Sequence, residues 1–315
     1  MLYLLIAIIC GSLFSVTFKL CQRHSIDTFL AILFNYVVAT LVAWTPMLWK
    51  WICGGTAPVN PLSERWLWMA AIQGFFFYYG FTLMSHSTRL SGVALTTAAA
   101  RASLVLPVIA SWLLLGQPAP AWLPVTLILL AMLLLVMQPS GIVGSRHRAL
   151  RFLLLVFFFY GVSDFSLKLV QHAVSTLHAG NEALITDNLT ALTGSIFFFA
   201  LLYAIIGVVI KNAHARRMQK RGETSSITSS ASVVSRVTWR EVGAGVVLGL
   251  VNMSCTSCML RGLNVLPTGL YYPLYNIGIV IVGSLFGVLL FRERLRPLQY
   301  AGLVVAIVAI ALFFH

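Results

Sequence analysis

Ten apolar runs occupy most of this chain, at residues 2–20, 28–49, 66–86, 92–115, 121–138, 150–171, 184–210, 241–262, 267–291 and 297–315. Each is close to the ~20 residues an α-helix needs to cross a hydrocarbon layer about 30 Å thick. Inside hydrocarbon, backbone N–H and C=O groups must be satisfied within the segment, which leaves the helix as the answer for runs of this length. Hydrophobic residues make up 59% of the chain and charged residues 9%, and the mean hydropathy is +0.92. Soluble domains carry about 25% charged residues. The expected fold is therefore an all-α membrane protein of ten transmembrane helices. A soluble enzyme is excluded, and a membrane β-barrel would show short alternating segments instead. The first run has no basic region ahead of it and no A-x-A-like site after it, so it reads as a span and not as a signal peptide.

The formal net charge of +13 would suit nucleic acid, but the Lys and Arg fall in loops between apolar runs. Sixteen of the 21 lie in or beside loops that follow odd-numbered runs. The opposite face holds four, Lys50, Arg65, Lys168 and Arg261, and Arg101 lies within a run. Basic loops stay in the cytoplasm, so this bias places both termini outside. The longest loop, 211–240, opens with KNAHARRMQKR, continues as a Ser/Thr-rich stretch, and reads as flexible and solvated near anionic headgroups. The turn Arg292-Glu293-Arg294-Leu295-Arg296-Pro297 reads as a topology anchor.

The chain repeats itself. Residues 90–123 align with 266–299 at a constant offset of 176, pairing Leu90 with Leu266, Ala102 with Gly278 and Leu114 with Leu290. Lys19 and Lys168 close the first and sixth runs at an offset of 149. Asn35 and Thr40 match Asn188 and Thr193 at an offset of 153. Five runs per half force the second half to insert upside down, the inverted-repeat plan of secondary transporters. The halves divide as 1–144 and 145–315.

At these residues the chain resembles the drug/metabolite transporter superfamily, specifically its EamA-like ten-helix members. Their halves open with Trp-Gly followed by Phe and Lys, and close with a long helix, a Gly-Glu turn and a Gly-containing last helix. Here Cys10-Gly11, Phe14 and Lys19 stand in the first half. Tyr160-Gly161, Phe165 and Lys168 stand in the second. Glu293, Pro297 and Gly302 fit the second hairpin, whereas Gln117 replaces the expected Glu in the first. The resemblance implies export of amino acids, other small metabolites or toxic compounds across a bacterial plasma (inner) membrane. It also implies termini inside, against the charge bias.

Ionisable residues at membrane depth are costly and face the bundle interior. Arg101 is the candidate clamp for a substrate carboxylate, and Asp164 the candidate site for a proton, another coupling ion or a substrate amine. Lys168, one turn beyond Asp164, is a further candidate for substrate binding or coupling; the two are four residues apart, so a mutually neutralising pair on one helix face is the alternative. Asp187, near the start of its run, suits the headgroup region. Tyr271, Tyr275, Asn276, Gln73, Tyr79, Asn252 and Lys19 complete the expected lining, with Ser15, Thr17, Tyr78 and Tyr272 beside them. Tyr271 and Tyr272 equally suit an interfacial aromatic belt. Asn35 and Asn188 suit interhelical hydrogen bonds. Gly245, Gly249, Gly278, Gly283 and Gly287 would let helices approach closely, and Pro107 and Pro273 would break or kink runs four and nine.

Cys255-Thr-Ser-Cys258 has C-x-x-C spacing but lies inside an apolar run without a second pair, so packing is expected and no metal or other cofactor. No H-E-x-x-H, G-x-S-x-G or Walker A motif occurs. The expected function is secondary active transport of a small solute, not enzymatic catalysis. A lipid flippase is the alternative; an intramembrane enzyme fits less well, because the seven His lie mainly in loops or near run ends.

Overall fold

The computed structural model describes residues 1–24, 26–54, 59–136, 146–220, 238–291 and 297–313. The turn at 292–296 and the stretch 221–237 lie outside the described residues. The elements are α1 (Leu2–Arg23), α2 (Thr28–Gly54), a 3₁₀ turn at Pro61–Ser63, α3 (Leu67–Ala102), α4 (Val105–Leu115), α5 (Trp122–Val136), α6 (Arg146–Leu177), α7 (Glu182–Lys220), α8 (Trp239–Val265), α9 (Thr268–Phe291) and α10 (Pro297–Phe313). No strand occurs among the described residues. The chain is a multi-pass helical membrane protein: among the described residues, eight stretches are long and apolar enough to span. The runs expected at 121–138 and 297–315 appear as helices of only 15 and 17 residues, packed on each other.

Two boundaries depart from the sequence reading. The loop expected from residue 211 begins later, because α7 runs on to Lys220. KNAHARRMQK contains no Gly or Pro and is rich in Ala, Lys, Arg, Met and Gln, the strongest helix formers. The second departure is α3, which spans 36 residues without a break in helical assignment. It is not one rod. Ser87 Oγ and Thr96 Oγ1 are hydrogen-bonded at 3.0 Å. Nine residues of straight helix would separate them by about 13 Å, so the axis folds back between them. The segments Leu67–Thr88 and Thr96–Leu115 are the two spans the sequence predicts there.

The most extensive helix pairings are α2·α8, α3·α6, α5·α10, α1·α8, α2·α7, α3·α7, α1·α9 and α4·α6. Exchange each helix for the one five places away, and this set maps onto itself: α2·α8 becomes α7·α3, α3·α6 becomes α8·α1, and α1·α9 becomes α6·α4. Glycines explain why equivalent pairs pack closely. A Cβ on Gly249 would lie 2.8 Å from the Asn35 carbonyl of α2, and one on Gly74 would lie 2.8 Å from the Ala200 nitrogen of α7. Gly245 likewise faces the Ala31 carbonyl, and Gly278 faces Ile8. Gly283 meets nothing within 4 Å, so the close approach expected there is absent. Gly11 and Gly161 seat Ile279 of α9 and Leu106 of α4 respectively.

The bundle has two ends. The Trp66 end carries the connections after α2, α4, α6 and α8; the His24 end carries the turn between α1 and α2.

Candidate functional site

Arg101 sits in the last turn of α3, where the helix stops inside the membrane. Ser103 and Leu104 form a turn, and α4 resumes at Val105. Pro107 supplies the cause: it has no N–H, and its ring crowds the carbonyl four residues back, on Ser103. The negative end of the broken helix stabilises a cation there. Pro273, by contrast, is carried inside α9 without a break.

Arg101 Nη1 donates to Asn276 Oδ1 at 3.2 Å, joining α3 to α9. Asn276 is 2% exposed and lies eight residues, about 12 Å, into its helix. Arg101 lies within Coulombic reach of Asp164, Tyr160, Tyr275 and Cys255. No carboxylate is within ion-pair distance of it among the described residues. Asp164 is half-buried, and its carboxylate has no hydrogen-bond partner among the described residues. Its backbone carbonyl accepts from Tyr272 Oη at 2.5 Å, tying α6 to α9.

Aromatic rings wall this pair. Tyr271 and Tyr275 stack with centroids 5.8 Å apart. Tyr271 and Tyr272 are fully buried, which rules out the interfacial belt. Tyr275 Oη meets Cys255 Sγ at 3.3 Å, and the buried Tyr271 hydroxyl has no partner. Gln73 Nε2 donates to Ser163 Oγ, beside Asp164, at 3.2 Å, while its buried Oε1 is unpartnered.

Lys168 does not pair with Asp164. Its Nζ donates to Gln171 Oε1 at 2.7 Å and to the Leu263 carbonyl at 2.8 Å. Leu263 is in the last turn of α8, whose carbonyls lack intrahelical partners, so Lys168 caps that helix. Gln171 Nε2 continues to Asn264 Oδ1 at 2.9 Å, and Ser175 Oγ reaches the same oxygen at 2.6 Å. The sequence reading missed Gln171, Ser175 and Asn264; the signal for the first two was their place on the Lys168 face, three and seven residues on, whereas Asn264 lies on α8, where no spacing pointed to it.

Other expected lining residues go elsewhere. Tyr79 is 39% exposed and packs on Phe75 and Tyr203 at the perimeter. Lys19 is exposed, eight residues or about 12 Å beyond Gly11 toward the His24 end. Asn252 bonds Asn35 between α8 and α2, and Asn188 bonds Trp66 at the head of α3. Asn35 and Asn188, matched at the offset of 153, thus each take part in an interhelical hydrogen bond. Ser15 and Thr17 return their hydroxyls to their own helix. Asp187 pairs with Lys50. A groove of about 540 Å³ opens between the end of α1 and the start of α8, lined by Leu20, His24, Ile26, Arg240 and Val247 among others. No group of three metal-ligating side chains occurs among the described residues.

No family model matches the chain. An uncharacterized protein of Haemophilus influenzae is 25% identical over 320 residues, covering 99% of this chain and 97% of its own length. A solved crystal structure of a protein superposes with a TM-score of 0.70 at 13% identity, covering 99% of this chain and 95% of that one. This likeness supports the fold over the whole length of the chain.

Proposed function

We propose that this chain is a secondary active transporter of a small zwitterionic metabolite, of amino-acid type, in the bacterial inner membrane. The halves 1–144 and 145–315 act as inverted five-helix repeats of the EamA-like drug/metabolite transporter kind and rock about the site between them. The observation that carries the reading is the juxtaposition of two opposite charges with unused valence. Among the described residues, Arg101 meets one neutral partner, and Asp164 meets none through its carboxylate. Leaving such groups unpaired at membrane depth costs several kcal/mol. A carboxylate on Arg101 and an ammonium on Asp164 would satisfy both, and the tyrosines would flank an apolar side chain. With no nucleotide-binding motif in the sequence, an ion or solute gradient supplies the energy. The exchange symmetry of the helix pairings and the paired glycines support two equivalent moving halves.

The test starts with thermal shift of the purified protein against amino acids, related metabolites and a short-chain anionic phospholipid. The phospholipid is included because the groove at the His24 end also suits an acyl chain. Counterflow and gradient-driven uptake in proteoliposomes follow. Asp164→Asn is expected to abolish gradient-driven uptake; uptake at the wild-type rate would sink the role given to Asp164.

A further inference from the structure

Three polar links and one looser approach join the two halves at the Trp66 end. Lys50 of α2 pairs with Asp187 of α7. Trp66 Nε1, at the head of α3, donates to Asn188 Oδ1 at 2.9 Å. The Gln117 side chain, between α4 and α5, accepts from the Thr268 backbone N–H at the start of α9, at 2.8 Å. Glu64 stands 3.9 Å from His178, just ahead of α7, without a hydrogen bond to its Nε2. Trp66 and Asn188 are 1% and 0% exposed, so water does not share their bond. At the opposite end, the groove between α1 and α8 opens between the halves.

We infer that Asp187 and Asn188 form a latch that holds the Trp66 end shut, and that its release is the gating step. The two residues are consecutive on α7 yet hold different elements, α2 through Lys50 and the head of α3 through Trp66. Moving the first turns of α7 away breaks both links at once, so the end opens as a unit. Thr190, one turn on, accepts from Arg261 of α8 at 3.1 Å, which ties the latch to the helix that Lys168 caps. Partners half in water contribute little singly: the Lys50 side chain is 51% exposed. The buried Trp66–Asn188 bond leaves unsatisfied groups if only one partner is lost. Such a latch is strong enough to define a state and weak enough to open.

This inference rests on the two-halves reading, but its test needs no substrate. Cys255, beside Tyr275 in the site, serves as a native reporter once Cys10, Cys21, Cys53 and Cys258 are replaced by Ser. An impermeant maleimide is applied to each side of sealed vesicles in turn. With Asp187→Asn/Asn188→Ala, labelling of Cys255 from the Trp66 side is expected to rise tenfold or more. The charge swap Lys50→Asp/Asp187→Lys, which keeps the Trp66–Asn188 bond, should label as slowly as wild type. Unchanged labelling from the Trp66 side, or an equal rise from both sides, overturns the latch. Faster one-sided labelling in a protein that moves no solute leaves the latch standing and counts against the transport reading.

Discussion

Arg101 and Lys168 are both cations held within the bundle, and their surroundings differ in kind. Lys168 is 3% exposed and places two of its three donors on the Gln171 side chain and the Leu263 carbonyl. It finishes a helix end that would otherwise be unsatisfied. Arg101 has five N–H donors, one hydrogen bond to a neutral amide, and a partnerless carboxylate beyond ion-pair distance. A cation whose neighbours already take most of its donors is a structural part. One whose neighbours leave it unsaturated next to an opposite charge is poised for a ligand. Burial alone would have ranked Lys168 as the functional residue; the count of partners reverses that ranking.

The largest expected effect is on transport. Arg101→Gln removes the guanidinium but can keep a bond to Asn276, and should lower uptake by 100-fold or more at unchanged expression. Near-wild-type uptake would erase the distinction between the two cations. Next comes Lys168→Met, which leaves the Leu263 carbonyl and Gln171 Oε1 without a donor. Each such group costs about 1–3 kcal/mol, read as a lowered melting midpoint in detergent with ligand binding retained. The smallest effect is Gly249→Ala, remote from both cations. Its Cβ would press on the Asn35 carbonyl, and overpacking of this kind costs about 1–3 kcal/mol. It should lower stability without changing ligand specificity, the same class of defect as Lys168→Met.

Much of this was legible in the sequence. Run length and low charge give the apolar helices, eight of which, among the described residues, are long enough to span. Pro107 announces the break that follows Arg101, and the spacing of Asn35 and Asn188 announces their interhelical bonds. What was not legible is which polar atoms meet. Asp164 and Lys168 share a helix face by spacing, yet the free carbonyls ending α8 draw Lys168 away, a competition visible only once α6 and α8 are packed. Tyr79 and Tyr271 look alike in sequence. One faces outward beside Phe75 and the other is sealed against Gly262, because the side each presents depends on which neighbours its helix acquires. Lys19 and Lys168 occupy equivalent repeat positions but differ in burial, so sequence equivalence does not carry environment with it.

The most direct test of the contrast is one experiment on three proteins. Wild type, Arg101→Gln and Lys168→Met are compared by the melting shift that a zwitterionic ligand from the metabolite panel produces. The account predicts that Arg101→Gln melts near wild type without ligand and shows no shift, whereas Lys168→Met melts lower and keeps its shift. A ligand shift retained in Arg101→Gln and lost in Lys168→Met would contradict it.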